Sequence, residues 1–411
     1  MLKLKSVLFL VTFAFSLVLS VTARAAVEPA QLVANNHRLA PSAPDIKATS
    51  YILLDANTGA VIAEKDADKR LPPASLTKMM TLYVISDALR RGQINIDDEV
   101  TISRKAWQMG GSKMFVKVGE KVPVGELLQG IIVASGNDAC IAMSEYIAGS
   151  EDSFVGLMNH EAEQLGLTNT HFTDCTGMPD PDHYSSARDM AKISQSLIND
   201  FPEYYHWYKQ QWFTHNGIKQ PNRNRLLWRY QAADGLKTGH TDSAGYCLAS
   251  SAKQEDTRLI SVVLGSPSDN ARSEGSISLF QYGFRFFKTH KIYQAGQTIT
   301  DARVWKGAME SVPLSTKEDI SLTMPQGQYK KLKVVTVINN PLTAPIYKGE
   351  KLGQLQVKYE DEILVDQPLI AMQEVPKGGL WVRFKDSVSM KIHDYLGSDD
   401  EESGETSEAT S

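Results

Sequence analysis

The sequence Ser75-Leu76-Thr77-Lys78 opens a helical pattern, and two further short motifs follow it along the chain: Ser135-Gly136-Asn137 and Lys237-Thr238-Gly239. A serine hydroxyl is a poor nucleophile at neutral pH unless a base lies beside it. Residues three apart share one face of a helix, so Ser75 and Lys78 are expected to touch. A lysine can act as this base only when burial or a second cation, here Lys237, destabilises its ammonium. With Ser135 passing a proton between Lys78 and the substrate, the three motifs predict serine acyl transfer without histidine.

The pattern Ser-x-x-Lys is common, and the chain contains a second copy at Ser250-Ser251-Ala252-Lys253. That copy continues a stretch that reads as a strand, in which positions three apart point to opposite faces. Residues 76–89 instead repeat apolar side chains at helical spacing, directly after Pro72-Pro73. The sequence therefore favours Ser75 over Ser250 as the nucleophile.

The motif set resembles the penicillin-recognising serine hydrolases. The middle Ser-Gly-Asn, and Lys-Thr-Gly followed by His240-Thr241, are similar to the D-alanyl-D-alanine carboxypeptidases of the penicillin-binding protein 5 and 6 type (peptidase S11 family). The resemblance extends over roughly residues 45–380 and includes four further stretches: Tyr51-Ile52-Leu53-Leu54-Asp55-Ala56-Asn57-Thr58-Gly59, Gln220-Pro221-Asn222-Arg223-Asn224, Asp234-Gly235-Leu236-Lys237 and Tyr282-Gly283-Phe284-Arg285-Phe286-Phe287.

The resemblance implies a role for each site residue. Ser75 would be acylated by the penultimate D-alanine, Lys78 would act as base, Ser135 would relay a proton, and Asn137 would bind the substrate amide and hold the lysine. The implied substrate-binding residues are Lys237, Thr238, Gly239, His240, Arg223 and Arg272. The backbone amides of Ser75 and His240 would form an oxyanion hole.

For His240, a purely backbone contribution and an acid–base role both remain open. The segment after Arg272 is one residue shorter than is usual in the family.

No cofactor or metal is expected. The nine histidines show no metal-ligand spacing. The cysteines Cys140, Cys175 and Cys247 are an odd number for a disulfide framework, and Cys140 and Cys247 lie in apolar surroundings typical of small core residues. A net charge of -5 without a basic stripe argues against nucleic acid as a partner.

Residues 1–25 read as a secretory signal peptide. Lys3 and Lys5 precede the apolar run 7–21, and Ala23-Arg24-Ala25 offers a small-x-small cleavage site. An uncleaved amino-terminal anchor is the alternative. Export to the periplasmic face of the cytoplasmic (inner) membrane, as a peripheral protein, follows from the signal and the family resemblance.

The mature chain divides into several segments. Residues 26–47 form an amino-terminal arm. Residues 48–289 carry strands at both ends and helices between them, which predicts an α/β (α+β) catalytic domain of the β-lactamase/transpeptidase type, with an antiparallel sheet and a helical lobe. Residues 290–378 contain short strands separated by turns, which predict a small all-β domain without a catalytic constellation.

The carboxy-terminal segment reads as a membrane-contact element. Residues 380–396, within a predicted amphipathic helix over 379–397, place apolar side chains on one face and cations at its edges, which is typical of an interfacial helix. Residues 398–411 are acidic and predicted to be disordered. Because that charge would be repelled by anionic lipid, packing of the helix on protein remains the alternative to peripheral membrane contact.

Three functions compete for this site. The expected activity removes the terminal D-alanine from peptidoglycan pentapeptides, with β-lactams as covalent inhibitors. A class A β-lactamase needs a glutamate that activates water, followed four residues on by asparagine, and no glutamate between Ser135 and Lys237 has that partner. A non-catalytic penicillin-recognising sensor or scaffold is disfavoured by the intact Ser75, Lys78 and Lys237.

Overall fold

The two sequence ends of the first domain meet in one five-stranded antiparallel sheet. Its strand order is β2-β1-β9-β8-β7. The bounds are Ser50–Asp55 (β1), Val61–Lys65 (β2), Ala233–Thr241 (β7), Gly245–Gln254 (β8) and Thr257–Ser266 (β9). Strand β1 pairs with β9 along its whole length. The predicted α+β domain with a sheet closed by both sequence ends is thereby confirmed.

The computed structural model describes residues 40–396 and 407–408. The predicted signal peptide, 1–25, and most of the predicted arm lie outside these residues. Within the described ranges, no helix is long and apolar enough to cross a membrane.

The central strands are buried on both faces because successive side chains alternate between two apolar clusters. Along β1, Ile52 and Leu54 join the cluster that contains the helical lobe, whereas Tyr51 and Leu53 join the opposite cluster. The helix Asp269–Phe286 packs against β8 and β9 on that opposite face. The sheet is therefore a rigid central layer on which the helices are mounted.

The helical lobe lies between β2 and β7 in sequence. Its helices and short strands are Lys78–Arg90 (α1), Glu99–Thr101 (β3), Arg104–Gln108 (α2), Lys121–Pro123 (β4), Val124–Gln129 (α3), Asn137–Ala148 (α4), Glu151–Gln164 (α5), Ala187–Asp200 (α6), Pro202–Tyr205 (α7), Trp212–His215 (β5), Ile218–Pro221 (β6) and Leu226–Arg229 (α8). Asp269–Phe286 is α9. Short 3₁₀ turns occupy Ala74–Thr77 and His206–Lys209, and a π-helical turn occupies Gly130–Ala134.

The second domain is all-β, as predicted. Its strands are Phe287–Tyr293 (β10), Thr300–Trp305 (β11), Ser311–Ser315 (β12), Ile320–Pro325 (β13), Leu332–Ile338 (β14), Leu342–Thr343 (β15), Lys351–Tyr359 (β16) and Glu362–Ala371 (β17), with a 3₁₀ turn at Tyr329–Lys331. Strand β10 pairs with β13. Because this strand begins at Phe287, immediately after α9, the second domain starts three residues before the predicted start at residue 290.

Helix α10, Leu380–Leu396, follows the second domain. The carboxylate of Asp386 in this helix accepts a hydrogen bond from the backbone amide of Lys306. Beyond it, the structure describes only Ser407–Glu408 (β18), which pairs with β14. At these two residues the structure gives a strand where the sequence predicted disorder.

Candidate active site

The first helical turn after Pro73 brings the predicted nucleophile and base together. Ser75 lies in the 3₁₀ turn Ala74–Thr77, and Lys78 is the first residue of α1. The Nζ atom of Lys78 lies 2.8 Å from the Oγ atom of Ser75. The same Nζ donates a hydrogen bond of 2.6 Å to the backbone carbonyl of Thr176. Lys78 has a relative exposure of 0%, so its amine is held between these two oxygens away from bulk water.

The site contains a second serine–lysine pair, formed by Ser135 and Lys237. The Nζ atom of Lys237, on β7, donates to the Oγ atom of Ser135 at 2.9 Å, and both residues are buried. Ser135 has φ = +59° because it links the π-helical turn to α4. This left-handed conformation breaks the helical pattern at the predicted motif and turns the hydroxyl toward β7.

Two buried amines in one site make full protonation unfavourable. Burial lowers the pKa of Lys78, although nearby thiols and carboxylates oppose that shift. Burial also lowers the pKa of Lys237, and the nearby ammonium of Lys78 lowers it further. Because the two amines titrate as a pair, one of them loses its proton below the usual lysine pKa of about 10.4. The site can therefore supply a neutral amine.

The strand β7 lies against the nucleophile turn and leaves an edge free. It is the last strand of the sheet, so one side of its backbone is unpaired within that sheet. A Cβ atom at Gly239 would come within 2.8 Å of the Pro73 carbonyl and 3.1 Å of the Ser75 amide nitrogen. Glycine is therefore required where the strand passes Ser75. An extended peptide could add to this edge with its carbonyl group at the Ser75 amide.

Asn137 joins the site to a loop that precedes β4. Its backbone amide donates to Ser112 at 2.7 Å, and its Nδ2 donates to the Gly110 carbonyl at 2.8 Å. Its Oδ1 atom is buried, and no hydrogen-bond partner for it exists among the described residues. The next residue, Asp138, accepts from the amides of Met114 and Phe115. Asn137 thus holds the loop at the site and presents one unused acceptor.

The two predicted carboxylate-binding arginines occupy different environments. Arg223 is exposed between the buried Asn222 and Asn224, and it lies close enough to Lys237 to lower the pKa of that lysine. Asn224 fixes this loop by donating to the Gly235 carbonyl at 2.9 Å.

Arg272 is buried and already bonded to protein groups. Its Nη1 donates to the carbonyls of Gly239 and Cys247 at 2.8 and 3.0 Å, and its guanidinium pairs with Asp269. In this arrangement Arg272 braces β7 instead of offering free donors to a ligand. The nearby His240 is exposed, and its ring lies 4.1 Å from the ring of Tyr246.

One functional segment was missed by the sequence analysis. The loop 173–183 supplies the Thr176 carbonyl that binds Lys78, and its first part is folded around the carboxylate of Asp174. A backbone carbonyl has no side-chain signature. The only local signal is the order Asp174-Cys175-Thr176-Gly177, because aspartate and glycine favour tight turns.

The chain matches two family profiles. A profile described as D-alanyl-D-alanine carboxypeptidase covers residues 37–268, and the profile of the penicillin-binding protein 5 carboxy-terminal domain covers residues 287–377. The chain is 46% identical over 364 residues to the D-alanyl-D-alanine carboxypeptidase DacC of Escherichia coli K12, which spans 87% of this chain and 91% of that protein. It is 44% identical over 371 residues to DacA of the same strain, with coverage of 88% and 92%.

A solved structure agrees with these matches. Penicillin-binding protein 5 from Haemophilus influenzae is 42% identical, superimposes with a TM-score of 0.77, and covers 82% of this chain and 100% of its own. Identity at this level over most of both chains, together with the paired serine–lysine geometry, confirms the predicted enzyme class. The chain belongs to the D-alanyl-D-alanine carboxypeptidase family.

Proposed function

We propose that this protein removes the terminal D-alanine from peptidoglycan pentapeptides through an acyl-enzyme on Ser75. The observation that carries the proposal is the 2.8 Å contact between the Ser75 hydroxyl and the fully buried amine of Lys78. The family supplies the reaction class, and these two groups supply a nucleophile and a base within proton-transfer distance.

The acylation step follows from the positions of the side chains of Ser75, Lys78 and Ser135. The Ser75 Oγ attacks the carbonyl carbon of the penultimate D-alanine while neutral Lys78 accepts the hydroxyl proton. The resulting oxyanion is held by the backbone amides of Ser75 and His240, each contributing about 3 kcal/mol to the transition state. Collapse of this intermediate breaks the peptide bond. Ser135 relays the proton that Lys78 took from Ser75 to the departing amine of D-alanine, which leaves Lys78 neutral again. Water then attacks the Ser75 ester: neutral Lys78 accepts a proton from the water and returns it to Ser75 Oγ as the ester bond breaks, which restores the hydroxyl.

Substrate selection rests on the edge of β7 and on the cations beside it. The stem peptide adds to this edge alongside Gly239 as an extra strand. Its terminal carboxylate faces Lys237 and Thr238, and the exposed guanidinium of Arg223 adds positive charge at the same end. Asn137 offers its free Oδ1 to an amide N–H of the substrate.

The loop beside Lys78 argues against efficient β-lactamase activity. At the point where it faces the base, the loop presents the Thr176 carbonyl. The carboxylate of Asp174 accepts hydrogen bonds from Thr176, Gly177 and Met178, so it is occupied and not free to activate water. Penicillins are therefore expected to acylate Ser75 and to leave slowly.

One assay separates the three candidate functions. A soluble pentapeptide mimic that ends in D-Ala-D-Ala should lose its terminal D-alanine, whereas the same peptide ending in L-alanine should remain intact. Rapid turnover of a penicillin without release of D-alanine would indicate a β-lactamase. Stable binding of penicillin with no release from any D-Ala-D-Ala peptide would indicate a sensor or scaffold.

The place of action is a further part of the proposal. The signal-like segment 1–25 supports export, and helix α10 supports peripheral contact with the outer surface of the cytoplasmic membrane. Leu380, Trp381 and Phe384 have relative exposures of 83%, 82% and 64%. These exposed side chains are available to lipid, while Asp386 of the same helix binds the Lys306 amide of the second domain. This arrangement favours lipid over packing of these side chains on the second domain.

A protein ending at Gly379 should keep its full activity on soluble peptides and lose its co-sedimentation with anionic vesicles. The reason is that the catalytic motifs end at Gly239, whereas the exposed apolar face is confined to α10. Binding of the full-length protein should weaken as salt is added, since cations flank the face and the acidic tail opposes binding.

Two point variants sharpen this test. Phe384→Glu, on the exposed face, should reproduce the loss of vesicle binding. Val337→Glu makes the same kind of change at an exposed position of β14 and should bind as the unmodified protein does. If the full-length protein fails to bind vesicles of any composition, lipid contact is wrong and the helix binds protein instead.

A further inference from the structure

The loop 173–183 lies beside the base and makes one direct contact with it, through the Thr176 carbonyl. We propose that Asp174 is a positioning residue, whose carboxylate folds this loop so that the Thr176 carbonyl orients the amine of Lys78 toward Ser75. This inference rests on the proposed role of Lys78 as the base.

The carboxylate of Asp174 acts as the centre of the loop. Its Oδ1 accepts hydrogen bonds from the Thr176 amide at 2.6 Å, the Thr176 hydroxyl at 2.7 Å and the Gly177 amide at 2.7 Å. Its Oδ2 accepts from the Met178 amide at 3.1 Å. Four donors on one carboxylate fix the backbone of three consecutive residues, and the Thr176 carbonyl belongs to that fixed segment.

The loop is also locked against the turn that carries the nucleophile. Gly177 has φ = +87°, and a Cβ atom there would lie 1.9 Å from the Ala74 carbonyl oxygen. His183 bridges the two segments: its Nε2 lies 2.8 Å from the Thr77 hydroxyl, and its Nδ1 lies 3.3 Å from Asp174 Oδ2. Contacts therefore connect Asp174, through His183, to Thr77, the residue directly before Lys78.

The geometry of a neutral amine explains why this anchor matters. A neutral lysine has two N–H groups and one lone pair, and as a base it must direct the lone pair at the serine proton. When one N–H of Lys78 donates to Thr176, the rotation about the terminal C–N bond is restricted, and the lone pair can settle toward the Ser75 hydroxyl 2.8 Å away. Loss of the anchor would let the amine rotate, and misplacement of about 1 Å can reduce a rate about 100-fold.

Asp174 also acts on Lys78 through its charge. Burial alone would raise the pKa of Asp174, but hydrogen bonds from His183 and Thr176 outweigh it and hold that pKa well below its usual range. The carboxylate is therefore ionised when the enzyme acts, and it raises the pKa of Lys78. The titratable groups that shift the pKa of Lys78 are the thiols of Cys140 and Cys175 and the carboxylates of Asp174 and Asp138. The amine of Lys237 shares the site, and its own pKa is lowered by Lys78.

The test measures the rate of Ser75 acylation by a fluorescent penicillin, over the neutral to alkaline range, in three variants. Asp174→Ala removes the centre of the loop and should slow acylation by about tenfold or more. Asp174→Asn keeps an acceptor for Thr176 and Gly177 but removes the charge. The ascending limb of its pH–rate profile should move to lower pH, because a neighbouring carboxylate no longer stabilises the Lys78 ammonium.

Asp180→Asn is the matched control, since Asp180 lies in the same loop and its carboxylate binds only the exposed Asp182 amide among the described residues. It should leave both the rate and the pH profile unchanged. Thermal unfolding of each variant separates slow acylation from loss of the folded protein. If Asp174→Ala does not fold, the test of the proposal uses Asp174→Asn.

Two results would overturn the inference. One is acylation of both Asp174 variants at the rate and pH dependence of Asp180→Asn. The other is slower acylation that is fully accounted for by loss of folded protein in thermal unfolding, with an ascending limb that has not moved, which would mean that Asp174 serves stability alone. Failure of the proposed base role looks different, because the ascending limb would then persist when Lys78 itself is replaced.

Discussion

Replacing Ser75 with alanine is expected to abolish both release of D-alanine and covalent labelling by a fluorescent penicillin. Ser75 is the only serine that the structure places beside the buried amine of Lys78 within the described chain. Removal of the nucleophile from a serine hydrolase lowers kcat by about 10⁶-fold, so turnover should fall to the background rate. The measurement is D-alanine release from a pentapeptide mimic, with penicillin labelling followed on a gel.

The second Ser-x-x-Lys sequence provides the matched control. Ser250 lies in the middle of β8, is buried, and donates to the Ser261 carbonyl at 3.4 Å. Lys253 is exposed farther along the same strand, so the two side chains cannot form a nucleophile–base pair. Ser250→Ala should therefore label and turn over normally. Labelling of the Ser75→Ala protein, at Ser250 or elsewhere, would refute the assignment.

The elements that carry the three motifs were predictable because each has a local signal. Apolar residues at helical spacing after two prolines predicted α1, and β7 is one of the strands expected toward the end of the segment 48–289. The break at Ser135 has a local signal too, since serine, glycine and asparagine interrupt a helical pattern. The π-helical turn before it was not expected, because it depends on the packing of the lobe and not on the residue types alone.

The contact between Lys78 and Thr176 was beyond the sequence analysis for a physical reason. The two residues are separated by 98 positions, and the acceptor is a backbone carbonyl that every residue type possesses. Its position depends on the turn around Asp174, which in turn depends on packing against the nucleophile turn. No periodicity encodes such a contact.

Arg272 shows how a missed helix start changes the interpretation of a residue. Helix α9 begins at Asp269 and is capped by Ser268, whose hydroxyl accepts a hydrogen bond from the Ala271 amide. Arg272 is therefore a helical residue one turn from Asp269, which pairs with its guanidinium. A serine followed by aspartate is a recognisable helix start, and it was the available signal.

Replacing Lys78 with arginine should slow acylation of Ser75 by about 10²- to 10⁴-fold, the range that a positioned general base contributes. It should also remove the ascending limb of the pH profile. Lys78 is buried, and burial lowers its pKa, so the neutral amine becomes available below the usual lysine range and acylation rises with pH through an apparent pKa. An arginine side chain stays protonated across this range and cannot accept the Ser75 proton.

The apparent pKa belongs to Lys78 and Lys237 together, since each disfavours the charge of the other. For this reason the decisive result is whether the ascending limb of the pH–rate profile disappears in Lys78→Arg. The apparent pKa of that limb does not assign the proton to either lysine. Lys192→Arg is the matched control: Lys192 also donates to a backbone carbonyl, that of Gly166, at 3.0 Å, but it lies on α6 away from the motifs. It should keep the rate and the profile of the unmodified enzyme. A Lys78→Arg enzyme that acylates with an unchanged limb would show that another group takes the proton, and Lys237 would then be the first residue to replace.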